Sequence, residues 1–445
     1  MTSPQWLKWL PSFLRNRLEG RHELQKELTN TGWMFFDKLL RMAAGLLIGV
    51  AVARYLGPDG YGLLSFAGSY VMLFSALALF GLESLVVREL VTHPAERSSI
   101  LGTAFSIRML AGIVSVPLCL AALMFIRPDD RTILLMVALL SSALVFQAFD
   151  VIDLWFQSKV ATRNVVLVRM VAFAVSSAAK LACVLYAASI SAVVVATAIE
   201  ALLAACGLIV VYRMAGEHLL EWRFSIVQFR RLVTAALPMM LSGIVLMIYL
   251  RIDQVMLGAM APQQEVGLYA AAVRISEIWY FVPAAIVSSV FPSIVNLKNN
   301  QPEAFGLRVQ QLYKLMTFMG YVIAISVTLL APWIIQLLFG ASYKPAAPLL
   351  AILIWAGLFA NITVARNAHL IALDRGQALL WCTSAGAAVN ILLNLLLIPP
   401  YGATGAAVST CLSYWMAAHG ACFFSATLRP VAWMITKSLI YPRWW

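Results

Sequence analysis

Uninterrupted apolar runs are the dominant pattern along the chain. Residues 133–149, 315–338 and 378–398 are examples. Such runs extend over about 17 to 25 residues, the length that an α-helix needs to cross ~30 Å of hydrocarbon. They are apolar on every face and lack the alternation of polar and apolar positions found in membrane β-strands. The pattern therefore predicts an all-α polytopic membrane protein.

Polar breaks between the runs predict about twelve transmembrane helices. These are residues 33–54, 61–83, 99–126, 133–157, 165–187, 190–213, 234–258, 266–296, 310–339, 346–373, 376–398 and 403–428. The predicted organisation is a cytoplasmic amino-terminal segment, an N-terminal six-helix bundle, a cytoplasmic linker, a C-terminal six-helix bundle and a cytoplasmic or interfacial tail. Their ranges are 1–32, 33–213, 214–233, 234–428 and 429–445.

Composition and charge agree with this assignment. Hydrophobic residues make up 62% of the chain and charged residues 12%, against roughly a quarter charged in soluble domains. The net charge of +12 arises mostly in loops, with 19 Lys and Arg on the amino-terminal side of the predicted membrane and 4 on the other. By the positive-inside rule both termini are cytoplasmic, and the charge does not indicate nucleic-acid binding. The six cysteines lie within apolar segments, so neither disulfides nor a metal site is expected.

A weak internal repeat relates the two halves. The segment LGPDGYGLLSFA at 56–67 resembles LGAMAPQQEVGLYA at 257–270, and aligning Gly62 with Gly267 gives an offset of 205 residues. An even number of helices separates the two copies, so the repeat predicts two halves of the same orientation.

Several motifs together resemble the polysaccharide transporter, or Wzx-type, branch of the multidrug, oligosaccharidyl-lipid and polysaccharide exporter superfamily. They are ARYLGPDGYG at 53–62, RIDQVMLG at 251–258, VGLYAAAVRISE at 266–277, FPS at 291–293 and YGATGAA at 401–407. The resemblance covers nearly all the predicted helices.

The resemblance implies two bundles around a central cavity that opens alternately to each side. The implied cargo is an undecaprenyl-pyrophosphate-linked oligosaccharide, such as an O-antigen repeat unit of lipopolysaccharide. It would be flipped from the cytoplasmic to the periplasmic leaflet of the bacterial inner membrane. Polysaccharide polymerase machinery is the implied partner.

Basic residues inside the helices are candidates for binding the pyrophosphate, because burying a charge in the bilayer is costly. The candidates are Lys38, Arg41, Lys180, Arg251 and Arg274. Guanidinium groups bind phosphate oxygens bidentately and ammonium groups act as point charges, which suits a pyrophosphate moving between cationic positions. Arg169, near a helix end, is instead expected to extend towards the interface.

Structural ion pairs are the alternative interpretation of these cations. The pairs would be Arg251 with Asp253, Arg274 with Glu277, and Arg41 with Asp37.

A gradient of H⁺ or Na⁺ is the expected energy source, because the chain has no GxxxxGK[ST] nucleotide loop. Asp37, Asp253 and Glu277 are the candidate ion-coupling carboxylates. No cofactor is expected.

Two other functions remain open from the sequence. A cation-coupled multidrug exporter shares the twelve-helix plan, but its cavity should be acidic and aromatic. A membrane-embedded polymerase or glycan ligase needs a large exterior loop with catalytic groups, whereas the predicted exterior loops are short. A secondary transporter rather than an enzyme is therefore favoured.

Overall fold

A computed structural model of the chain describes residues 22–442, with side chains described from Leu40 onward except at Pro302. The described residues form helices and turns and contain no β-strand, which confirms the all-α class. The α-helices are α1 His22–Leu79, α2 Glu83–Thr92, α3 Arg97–Ile126, α4 Arg131–Phe146, α5 Val151–Ser158, α6 Arg163–Leu185, α7 Ile190–Met214, α8 Ile226–Met260, α9 Gln263–Glu277, α10 Phe281–Asn300, α11 Pro302–Phe339, α12 Ala346–Ala372, α13 Gly376–Trp415, α14 Ala421–Phe423 and α15 Arg429–Ile440.

Ten helical segments of the described chain are long and apolar enough to cross a membrane. Two of them, Leu40–Thr92 and Gly376–Phe423, contain 53 and 48 residues, about twice what one crossing requires. Counting each of these as two crossings gives the expected number of about twelve. The chain is a multi-pass membrane protein.

Glycines break the two longest helices where loops were expected. Gly57 in α1 has φ 67° and Gly402 in α13 has φ 54°, a region that side chains with a Cβ rarely adopt. Pro58 follows the first break, and Pro399 and Pro400 precede the second, where each removes a helical N–H donor. Each long helix is therefore two crossings joined by a tight break.

Contacts divide the chain into two compact units. The first unit comprises residues 1–48, 75–121 and 138–240, and the second comprises 49–74, 122–137 and 241–445. Residues 49–74 of α1 and residues 122–137 around the α3–α4 loop thus belong to the same unit as the C-terminal helices.

The predicted linker, 214–233, is bonded within the first unit. Arg97 Nη1 pairs with Glu217 Oε1 at 2.6 Å, and Arg231 Nη2 pairs with Glu89 Oε2 at 2.8 Å. The Ser225 amide donates to Thr103 Oγ1 at 3.0 Å. These bonds anchor the linker to α2 and α3.

Candidate functional site

A buried carboxylate in α8 lies at the centre of a polar cluster in the second unit. Asp253 is 4% exposed, and three side chains from α9 and α13 contact it. Asn394 Nδ2 donates to Oδ1 at 2.8 Å, while Thr410 Oγ1 and Tyr269 Oη donate to Oδ2 at 2.7 and 3.2 Å. These hydrogen bonds compensate the carboxylate for lost hydration.

Two asparagines one turn apart on α13 extend this cluster. Asn394 Nδ2 also donates to Asn390 Oδ1 at 2.8 Å, and Asn390 Nδ2 donates to Ser413 Oγ at 3.0 Å. The Asn394 Oδ1 atom is buried, and no donor within the described residues satisfies it. A buried acceptor without a donor is unusual in folded proteins. An oxygen-binding cation would satisfy it.

An ion pair lies beside the cluster. Arg251 Nη1 contacts Glu277 Oε1 at 3.2 Å, with side chains 21% and 31% exposed. Asp253 and Glu277 both line a cavity with ≈ 10 Å³ of water-accessible volume, room for about one water molecule. The buried Arg251 Nε has no hydrogen-bond partner among the described residues, so the guanidinium retains a donor.

One of the three alternative ion pairs, Arg251 with Asp253, is wrong. Arg251 does not pair with Asp253, because residues two apart on a helix do not share a face. Glu277 instead pairs with Arg251 across α8 and α9, and amide and hydroxyl groups bind Asp253.

Arg274 packs against α1 within the second unit. A Cβ added to Gly49 would overlap the Arg274 guanidinium. Glycine therefore gives this arginine the space to lie against the helix backbone.

The other candidate cations belong to the first unit. Lys180 Nζ lies 3.6 Å from Glu200 Oε2 and is 16% exposed; its partner is on the next helix. Arg41 is partly buried on α1. Asp37 and Lys38 lie outside the residues whose side chains are described.

An acid–base network in the first unit was missed from the sequence. Arg169 Nη2 bonds Asp150 Oδ1 at 3.0 Å and Asp153 Oδ2 at 2.7 Å, two partners that the sequence analysis did not assign to it. Arg108 is 1% exposed, and its Nε donates to the Leu79 carbonyl at 3.2 Å where α1 ends. These partners come from separate helices, so residue spacing within a single helix does not predict the contacts.

The asparagine pair was also missed, although it left a signal. Asn390 and Asn394 are amides four residues apart within an apolar run, and this spacing puts them on one face of the helix. Among the described residues no group of three His, Cys, Asp or Glu side chains is placed to hold a metal.

Solved structures of transporters share this fold. A lipid II flippase, MurJ, in an inward closed conformation matches with a TM-score of 0.72 and 16% identity, covering 93% of this chain and 91% of that one. An inward-facing multidrug resistance MATE family transporter of the MOP superfamily matches with a TM-score of 0.73 and 12% identity, covering 89% and 95%. At these identities the likeness establishes the fold alone.

Two curated relatives from Haloferax volcanii match part of the chain. The probable low-salt glycan biosynthesis flippase Agl15 is 26% identical over 173 residues, covering 37% of this chain and 35% of the relative. The probable flippase AglR is 27% identical over 181 residues, covering 38% and 36%. The chain thus spans about a third of the length of these relatives.

Two family models match the chain. The one described as MatE matches residues 238–396, and the one described as Polysaccharide biosynthesis protein matches residues 28–298, more than half of the chain. The resemblance to the exporter superfamily is thereby confirmed, and the chain belongs to the Polysaccharide biosynthesis protein family.

Proposed function

We propose that this protein is a flippase for lipid-linked oligosaccharides. The cargo is an undecaprenyl-pyrophosphate-linked repeat unit, as in O-antigen assembly, and it moves from the cytoplasmic to the periplasmic leaflet of a bacterial inner membrane. Support comes from the family to which the chain belongs and from the partial match to two relatives named as probable flippases.

The cavity shared by Asp253 and Glu277 carries the proposal. Its lining includes the buried carboxylate of Asp253 and the carboxylate of Glu277, and Glu277 pairs with Arg251, whose guanidinium has an unused donor. Charges at membrane depth are costly and are typical of transport pathways. Arg251 and Arg274 bind the pyrophosphate through charge-assisted hydrogen bonds, while Arg41, Lys38 and Lys180 of the first half provide further cationic positions.

Asp253 and its neighbours fit a coupling cation, H⁺ or Na⁺. The carboxylate, the amide oxygens of Asn390 and Asn394 and the Thr410 hydroxyl would hold Na⁺, and the unsatisfied Asn394 oxygen is the observation that supports a ligand there. Protonation of Asp253 would neutralise it equally. Either cation changes the charge of the cavity by one unit, which links its binding to that of the anionic headgroup.

The test is translocation of a fluorescent undecaprenyl-pyrophosphoryl oligosaccharide in proteoliposomes. Arg251→Ala and Arg274→Ala should lower the flipping rate at least tenfold, because one charge-assisted hydrogen bond contributes about 1.5 kcal/mol or more. Arg308→Ala is the matched control, since the Arg308 side chain is exposed. Wild-type flipping in both Arg251→Ala and Arg274→Ala would refute the assigned headgroup site.

A further inference from the structure

The two copies of the sequence repeat contact each other within the second unit. A Cβ added to Gly62 would overlap the Gln263 carbonyl oxygen and lie 3.0 Å from the Gly267 amide nitrogen. A Cβ added to Gly267 would overlap the Pro58 carbonyl oxygen and lie 3.1 Å from the Gly62 amide nitrogen. Backbone therefore packs on backbone, which only glycine permits here.

This contact has the symmetry of the repeat. Gly62 and Gly267 are the residues that align the copies, and the same offset of 205 carries Pro58 onto Gln263. Gly62 contacts the carbonyl of Gln263, and Gly267 contacts the carbonyl of Pro58, which is the residue equivalent to Gln263 in the other copy. The arrangement is that of an isologous interface, in which the same patch on both partners is self-complementary.

Two arginines flank the glycine contact and cap helices of the C-terminal half. Arg54 donates through Nε to the Leu338 carbonyl at 2.6 Å and through Nη2 to the Leu337 carbonyl, in the last turn of α11. Carbonyls in a last helical turn lack N–H donors, and a cation is favourable at that end of the helix dipole.

Arg127 makes the equivalent bond to α8. Its Nη2 donates to the Gly258 carbonyl, whose helical donor would come from Pro262, a residue without an N–H. The Arg127 guanidinium also lies 5.2 Å from the centre of the Phe66 ring. Arg54 and Arg127 are two of the four basic residues predicted on the outer side.

A tyrosine completes the same surface. Tyr343 Oη donates to the Ala53 carbonyl at 2.8 Å, and its ring packs edge-on against Tyr61 with centroids 6.4 Å apart. Deeper along α1, Ser69 Oγ donates to Gln254 Oε1 and is buried. Residues 49–74 and 122–137 are accordingly one compact unit with 241–445.

We infer that this contact between the repeats is the gate of the predicted outer side, closed in this structure. The inference rests on the proposed transport function, because a flippase must open to release cargo outwards. Main-chain carbonyls accept the arginine hydrogen bonds, so water can replace each partner when α1 and α9 separate. Among the described residues, neither Arg54 nor Arg127 bonds a carboxylate of the opposite half. Opening the gate therefore does not separate an ion pair.

Labelling of a buried reporter by a membrane-impermeant maleimide tests the gate in spheroplasts, with the parent protein measuring background from native cysteines. The reporter is Ser69→Cys, which is nearly isosteric and lies about 18 Å along the helix from Gly57. Adding Gly62→Ala or Gly267→Ala should increase reporter labelling at least fivefold, because each new Cβ pushes α1 and α9 apart. Gly68→Ala is the matched control, since a Cβ there meets nothing within 4 Å, and labelling should not change.

Arg127→Gln provides a second variant that adds no atoms to the glycine contact. It should increase labelling at least twofold, and a monodisperse elution profile establishes that each variant is folded. Unchanged labelling in folded Gly62→Ala and Arg127→Gln proteins would overturn the gate. The labelling needs no cargo, so it tests the gate separately from transport. Increased labelling of the variants, together with no oligosaccharide flipping by the wild-type protein, would refute the proposed function but not the gate.

Discussion

Asp253 is a residue where burial and charge conflict. Its carboxylate receives three side-chain hydrogen bonds at 4% exposure, and no cationic side chain pairs with it among the described residues. A buried charge normally requires a counterion. The unsatisfied Asn394 oxygen beside it supports the proposal of an exchangeable cation.

Asp253→Asn should abolish the dependence of flipping on an ion gradient. The amide is nearly isosteric but neutral, so it removes the charge that would attract Na⁺ or take up H⁺. The measurement compares flipping rates with and without a Na⁺ or pH gradient. Asp374→Asn is the control, because the Asp374 side chain is 89% exposed. A wild-type response of Asp253→Asn to both gradients would contradict the coupling role.

Asn394→Ala should weaken Na⁺ activation without removing it. The variant loses one oxygen ligand but keeps the carboxylate, so the Na⁺ concentration for half-maximal flipping should rise roughly tenfold, equivalent to about 1.4 kcal/mol. Titrating Na⁺ at fixed pH measures this shift. An unchanged midpoint would exclude Asn394 as a ligand, and the same titration of wild-type protein with no response would indicate H⁺ as the coupling ion.

The sequence singled out the charged residues of the site but not their partners. Arg251, Asp253 and Glu277 stand out because charges are rare in apolar runs. The amide partner of Asp253 is 141 residues away, and no spacing rule within one helix reveals such a contact.

Helix breaks position the elements that carry these residues. In α13 the break at Gly402 separates the crossing that bears Asn390 and Asn394 from the one that bears Thr410. Glu265 Oε2, near the start of α9, accepts a hydrogen bond from the Ala403 amide at 2.6 Å. The break is therefore fixed by a contact from outside its own helix.

Gly402→Ala should lower the Tm of the detergent-solubilised protein. Its φ of 54° disfavours a side chain, and the new Cβ would overlap the Glu265 carboxylate, so the expected cost is about 1–3 kcal/mol. Gly306→Ala within α11 is the control, because a Cβ there meets nothing within 4 Å and alanine favours the helix. An equal Tm for both variants would contradict the structural role of the break.

Helix positions follow closely from hydrophobicity, whereas their continuity does not. The expected helices 99–126 and 190–213 correspond to Arg97–Ile126 and Ile190–Met214, because a run long enough to span the membrane has few alternatives. The pairs 33–54 with 61–83 and 376–398 with 403–428 were expected to be joined by loops. Their junctions are single non-helical glycines within long helices, a backbone detail that hydrophobicity does not encode.

At the scale of the whole molecule, sequence halves and compact units divide the chain differently. The repeat divides it once, in the linker at 214–233, whereas contacts place residues 49–74 and 122–137 in the unit that contains 241–445. The Gly62–Gly267 contact and the Arg54 and Arg127 caps account for this difference. The repeat is a property of the sequence, whereas the compact units are defined by the contacts of one conformation.

Transport by the wild-type protein in proteoliposomes tests the proposed flippase function most directly. We expect a fluorescent undecaprenyl-pyrophosphoryl oligosaccharide to be flipped, and a Na⁺ or pH gradient to accelerate the flipping. Liposomes without protein measure spontaneous movement, and an amphipathic cationic dye tests the exporter alternative. Efflux of the dye without flipping of the oligosaccharide would refute the flippase assignment and favour the multidrug exporter.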